Sequence, residues 1–136
     1  DHKTPTLLDL GSGAGFPGLP IALLHPEIHV TLAESQNKKA TFLREVVRTL
    51  HLDTEVWASR AESLPPARQF HTVTLRAVDN MAVALAAAEP RATHQLLLMT
   101  SLTSAATAPA LPDFPNQTQV PIPESAGRIL LLAARS

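Results

Sequence analysis

Along the first hundred residues, short apolar runs alternate with stretches of helical periodicity, the pattern of β-α-β units built on a parallel sheet. Thr6–Leu10 reads as the opening strand. Pro17 can begin a helix, because a proline at the first helical position gives up only an N–H that has no helical partner. That helix carries Ile21, Leu23 and Leu24 and should stop near His25, since Pro26 restricts the residue before it. Residues 28–33 predict a second strand. Ser35 is placed to cap the next helix, in which Phe42, Leu43, Val46, Val47 and Leu50 recur at helical spacing as one buried stripe. Further strands are expected over residues 54–58, 71–75 and 95–99, with an alanine-rich helix at Met81–Ala88 between the last two.

Punctuation is uneven. Five of the 12 prolines fall between Pro109 and Pro123, so residues 101–125 should not form one regular element, although 104–111 has room for a short helix. Arg128–Ala134 reads as a final strand, with residues 119–122 as a weaker partner for it. The fold class that follows is α/β, a Rossmann-like, mostly parallel twisted sheet with helices on both faces and a C-terminal antiparallel strand.

Four of the five glycines lie between Gly11 and Gly18, directly between the first strand and the first helix. Glycines at such a junction let the backbone approach a ligand closely and take positive φ without a Cβ penalty. A dinucleotide fingerprint would need glycine where Phe16 stands, and a phosphate-binding P-loop would need Gly-Lys-Ser/Thr where the chain has Gly18-Leu19-Pro20. A serine nucleophile elbow fails because Leu10 and Ala14 hold the positions that require glycine. The D-x-G-x-G-x-G spacing of Asp9, Gly11, Gly13 and Gly15 resembles the loop of class I methyltransferases that use S-adenosylmethionine. In that fold an acid at the end of the second strand takes the ribose hydroxyls, and Glu34 stands there, 19 residues after Gly15. Loop and acid would then flank one crevice at the carboxyl ends of adjacent strands.

Composition narrows the chemistry. At 136 residues the chain suits one domain, and 45% hydrophobic residues can fill its core. The absence of cysteine removes disulfides, thiolate metal sites and cysteine nucleophiles. The six histidines are scattered, so no metal is expected. A net charge of −1 and a pI near 6.6 give no broad positive field, so any basic surface is local. Lys38, Lys39, Arg44 and Arg48 suit either a solvated helix face or a patch facing RNA. Phe42, Trp57 and Phe70 fall in or beside apolar patterns and are expected in the core, whereas Phe114 sits among prolines with its role open. No apolar stretch reaches the roughly 20 residues of a membrane span, and a cytoplasmic monomer is the expectation.

The run from Asp9 to Pro20, DLGSGAGFPGLP, is more specific than a generic methyltransferase loop and resembles the glucose-inhibited division protein B family, the bacterial 16S ribosomal RNA guanine-N7 methyltransferases. Three further stretches match in order: LAESQNKK at residues 32–39, SRAE at 59–62 and LRAV at 75–78. The resemblance implies S-adenosylmethionine as cofactor and 16S ribosomal RNA or the small ribosomal subunit as partner. By matching position, Gly11 and Phe16 would contact the cofactor from the loop, Glu34 and Ser35 would hold its ribose, and Ala61 and Glu62 would meet the adenine edge. Asp9, Gly13, Gly15 and Arg76 would also belong to the cofactor site, Arg76 and Arg60 would be basic residues of the substrate pocket, and Lys38, Lys39 and Arg60 would face RNA. Guanine N7 already carries an in-plane lone pair, so the reaction needs alignment rather than a general base.

Two features depart from the family. Thr100 and Ser101 stand where it usually carries Lys-Gly, and its N-terminal helical segment of several dozen residues is expected to be lacking from this domain. A noncatalytic cofactor-binding module and a small-molecule methyltransferase on the same fold are the alternatives.

Overall fold

Leu7 and Leu8 leave the first strand on opposite sides and enter two separate apolar clusters, which makes that strand an interior strand of a sheet covered on both faces. The computed structural model describes residues 5–76, 81–106 and 109–136. Its strands are β1 (Thr6–Leu10), β2 (His29–Ala33), β3 (Glu55–Trp57), β4 (Phe70–Arg76), β5 (Ala92–Ser101), β6 (Asn116–Pro121) and β7 (Arg128–Ala134). They form one seven-stranded sheet in the order β3-β2-β1-β4-β5-β7-β6. The first five strands of that order are parallel, and β7 pairs antiparallel with both β5 and β6.

Helices α1 (Gly18–Leu24) and α2 (Asn37–Thr49) cover one face, where Ala22 and Leu43 meet Leu7, Val30 and Leu32. On the other face α3 (Met81–Ala88) brings Leu85 and Ala88 against Leu8, Val73, Leu96 and Leu98. Phe114 and Leu111 close that second cluster. The proline-rich stretch therefore supplies a core aromatic, and the Arg135 guanidinium lies 4.4 Å from the centre of the Phe114 ring. Helix α4 (Leu102–Ala106) is a short turn that begins earlier than residues 104–111 suggested.

Several local expectations are corrected. Ser35 does not cap α2: the residue before the helix is Gln36, without a side-chain cap, and the Gln36 N–H donates to the Glu34 carboxylate at 2.9 Å. The buried stripe of α2 is narrower than its sequence implied, because Ala40 and Leu43 are the fully buried positions while Phe42 and Leu50 face outward. At 100° per residue Phe42 lies one step off the Ala40–Leu43–Val47 line that meets the sheet. Strand β5 extends on both sides of residues 95–99, since its ladder with β7 continues from Gln95 to Ser101 and its pairing with β4 starts at Ala92. Strand β6 is longer than residues 119–122. All six of its residues are exposed, and Pro121 is tolerated because the strand bonds on one side alone. Ala77 and Val78 of the LRAV match, and Asp1 to Lys3, lie outside the described residues.

The junction of β1 and α1 tolerates no side chain at Gly18. A Cβ there would run into Leu32 Cδ2 and stand 2.8 Å from the Asp9 carboxylate. Gly18→Ala should cost about 1–3 kcal/mol of stability, the usual penalty for overpacking a filled site. Urea unfolding followed through Trp57, the single tryptophan, would measure it, and an unchanged midpoint would show that the junction relaxes freely.

Candidate functional site

The sheet order reverses between β1 and β4, and ligand crevices in open α/β sheets form at such a point, beyond the carboxyl ends of the strands. A cleft of about 300 Å³ lies there. Leu10, Ala33 and Leu75 form its floor at the ends of β1, β2 and β4, and Val83, Ala84 and Ala87 of α3 form one wall. Gly11, Ser35, Ser59, Arg60, Ala61, Glu62 and Arg76 complete the rim. Six residues singled out in the sequence, from four separate stretches of chain, thus share one opening.

The glycine loop is held from below and from the side. Asp9 is 1% exposed. Its Oδ1 accepts the Thr74 hydroxyl of β4 at 2.7 Å, and its Oδ2 accepts the Gly18 N–H at 3.2 Å. Burial pushes its carboxyl up to about 6, against the lowering effect of these hydrogen bonds and of the Arg76 charge. Glu34, 6% exposed, uses Oε1 to accept the Gly13 N–H at 2.8 Å and Oε2 to accept that of Gln36. Gly11 and Gly13 have φ of +62° and +57°, and a Cβ on Gly13 would come within 3.0 Å of Arg76 Nη2. The loop is therefore glycine both for its left-handed backbone and for the space that Arg76 takes.

The sequence profile of rRNA small subunit methyltransferase G matches residues 1–113. The chain belongs to that family. A ribosomal RNA small subunit methyltransferase G of Roseiflexus castenholzii is 54% identical over 85 residues, which is 58% of this chain and 36% of that protein. One from Xanthomonas euvesicatoria is 47% identical over 78 residues, covering 57% of this chain and 37% of its own length. The matched region is thus little more than a third of these methyltransferase G relatives. Among solved structures, a protein of Agrobacterium tumefaciens described as a predicted O-methyltransferase superposes with a TM-score of 0.75 at 25% identity. That superposition covers 99% of this chain and 76% of the other.

Not every residue that the methyltransferase G resemblance marks lies on the cleft. Asp9 and Gly15 are buried beneath the loop, and Phe16 is exposed on it without lining the opening. Lys38 and Lys39 border a separate shallow groove with Gly13, Ala14 and Phe42. Among the described residues no three histidine, aspartate or glutamate side chains converge as a metal site.

Arg91 was not singled out by the sequence. It is 7% exposed and directs its guanidinium at four backbone carbonyls. Nη1 donates to Pro65 at 2.6 Å and Arg68 at 3.1 Å, and Nη2 donates to Leu64 at 2.8 Å and Ala61 at 3.3 Å. These carbonyls belong to the 3-10 turn Ala61–Ser63 and the segment after it, so Arg91 fixes the wall that carries Ala61 and Glu62. Its sequence context, Glu89-Pro90-Arg91-Ala92-Thr93, carries no signal that sets it apart from a solvated loop arginine. From the opposite side, the Trp57 indole N–H donates to the Arg60 carbonyl at 3.0 Å.

Two outcomes follow. Asp9 ionises near pH 4 in the unfolded chain and near 6 in the folded one. Its contribution is therefore complete below pH 4 and declines by about 3 kcal/mol as pH rises through 6. Unfolding of the wild type and of Asp9→Asn between pH 4.5 and 7.5 should show their stability difference falling over that window; a constant difference would place the carboxyl in water. Arg91→Ala should destabilise the fold by about 3 kcal/mol or more, because four carbonyls lose their donor, whereas Arg91→Lys should recover part of the loss. Denaturant midpoints of the two variants check this.

Proposed function

We propose that this chain is the cofactor-binding part of an S-adenosylmethionine-dependent methyltransferase that acts on guanine N7 of 16S ribosomal RNA, in the cytoplasm and as a monomer. The observation that carries the reading is the convergence of Gly11, Ser35, Arg60 to Glu62 and Arg76 on one cleft at the switch point of the sheet. These are the stretches in which the chain is similar to the methyltransferase G family, and family membership supports the substrate class.

The residues fit the cofactor. Positive φ at Gly11 and Gly13, with open space above Gly11, leaves a cradle that any Cβ would narrow. Glu34, next to the rim residue Ser35, uses its two oxygens to hold the Gly13 and Gln36 amides and would meet the ribose from that position. Ala61 and Glu62 would meet the adenine edge, with the Ala61 backbone held by Arg91. When bound, S-adenosylmethionine supplies an electrophilic methyl on a sulfonium.

The remaining work falls to alignment. The guanine N7 lone pair needs no base to expose it. Arg76 and Arg60 rim the cleft as cations, suited to the phosphates and the O6 edge of a guanosine. Orientation of this kind is the usual source of rate when neither reactant must be activated.

Transfer of labelled methyl from S-adenosylmethionine to small subunits lacking the mark tests the reading. Label should be recovered as 7-methylguanosine, and Arg76→Ala should lower kcat/KM at least tenfold while retaining cofactor binding by calorimetry. Cofactor binding without label on any RNA would leave the noncatalytic module, and label on small acceptors alone would indicate the other methyltransferase reading.

A further inference from the structure

Phe42 is 51% exposed although its helix offers an apolar face to the sheet a few residues away. It does not stand alone. Gly13, Ala14, Lys38, Lys39 and Phe42 line a shallow groove of about 290 Å³ beside the glycine loop. Lys38 and Lys39 precede the ring by four and three positions, so one helical surface carries both ammonium groups and the aromatic. Neither lysine forms an ion pair among the described residues, whereas Arg48 of the same helix pairs with Glu45 and Arg68 pairs with Glu55. The groove therefore combines an apolar floor with uncompensated positive charge. The glycine loop lies between it and the cleft: Gly11 borders the cleft and Gly13 the groove.

A flat apolar surface flanked by cations suits a ligand with planar faces and regularly spaced anions. An unpaired RNA strand has both, since every base offers a π-face and every linkage a phosphate. We propose that Phe42 is a stacking platform for one unpaired base of the substrate RNA, with phosphates beside that base held by Lys38 and Lys39. The inference rests on the RNA reading above and adds to it a position. The strand would cross the glycine loop, with the reacting nucleotide at the cleft and another on Phe42. An apolar small molecule would leave both lysines unused, and an acidic peptide lacks a planar group at each repeat.

Fluorescence anisotropy at several salt concentrations tests this with a labelled single-stranded RNA of about twelve nucleotides, an abasic RNA of equal length and a polyglutamate peptide. Wild type, Phe42→Ala, Phe42→Trp and the double variant Lys38→Ala/Lys39→Ala are compared. Phe42→Ala should weaken the base-bearing RNA about tenfold with an unchanged salt slope, and Phe42→Trp should retain binding. Removing each lysine should lower the slope of log affinity against log salt by about 0.7. The abasic RNA should bind wild type and Phe42→Ala alike. Calorimetric binding of S-adenosylmethionine should stay unchanged throughout, which shows that the variants are folded.

Equal RNA affinity of wild type and Phe42→Ala would overturn the platform while leaving the RNA reading intact. Loss of the abasic RNA to the same extent would also overturn it, and polyglutamate binding with the same dependence on Phe42 would identify a protein partner instead. A wild type that binds the cofactor but neither RNA would remove the platform and the RNA substrate together.

Discussion

One desolvated carboxylate sets the geometry on which the site depends. Asp9 leaves β1, bonds the hydroxyl of its cross-strand neighbour Thr74 and receives the first amide of α1. The glycine loop is the eight-residue span, Leu10 to Pro17, between the two ends that this side chain holds, so its start and finish are referred to a single point in the sheet. Burial makes the ionised form costly; the Gly18 amide and the Arg76 charge offset part of that cost, Gly18 leaving room for the Asp9 carboxylate and Gly13 for the Arg76 guanidinium. The arrangement spends stability on precision, a common pattern at functional sites.

The remaining walls follow the same logic. Glu34 joins the loop to the start of α2 through two backbone amides, and Arg91 gathers four carbonyls below the opposite rim. Irregular backbone near a cleft leaves polar groups that secondary structure cannot satisfy, and in both places a buried charged side chain satisfies them. The hydrophobic clusters lie deeper and determine where the sheet sits, while these polar clamps determine the shape of the rim.

Much of this was legible before the structure. Thr6–Leu10, Met81–Ala88 and Arg128–Ala134 were readable with their observed bounds, because each is bounded by glycine, proline or charge and carries a strong apolar pattern. Strand β6 was half-hidden because a strand exposed at every position leaves no burial pattern to read. The face of α2 was misjudged at Phe42 and Leu50, since periodicity locates an apolar arc but not how much of it a thin sheet edge can cover. The cleft rim followed from motif order. The contacts of Arg91 did not, because carbonyl clustering is set by the path of an irregular segment and not by residue types. Ser35 illustrates the same limit: a residue suited to capping is passed over when a neighbouring carboxylate already holds the amide at the helix start.

The position of β7 carries a consequence for how the chain is made. It lies between β5 and β6 in space although it follows both in sequence, and Ile129, Leu131 and Ala133 meet Thr100, Leu98 and Leu96 of β5. During synthesis β1 to β5 can assemble in the order in which they emerge, but β5 then presents an open edge rich in leucine. That edge stays open until residues 128–134 leave the ribosome, and β6 cannot join the sheet before its later neighbour. Nascent chains that pause between β5 and β7 are thus the vulnerable species, with an unpaired apolar edge available to other chains.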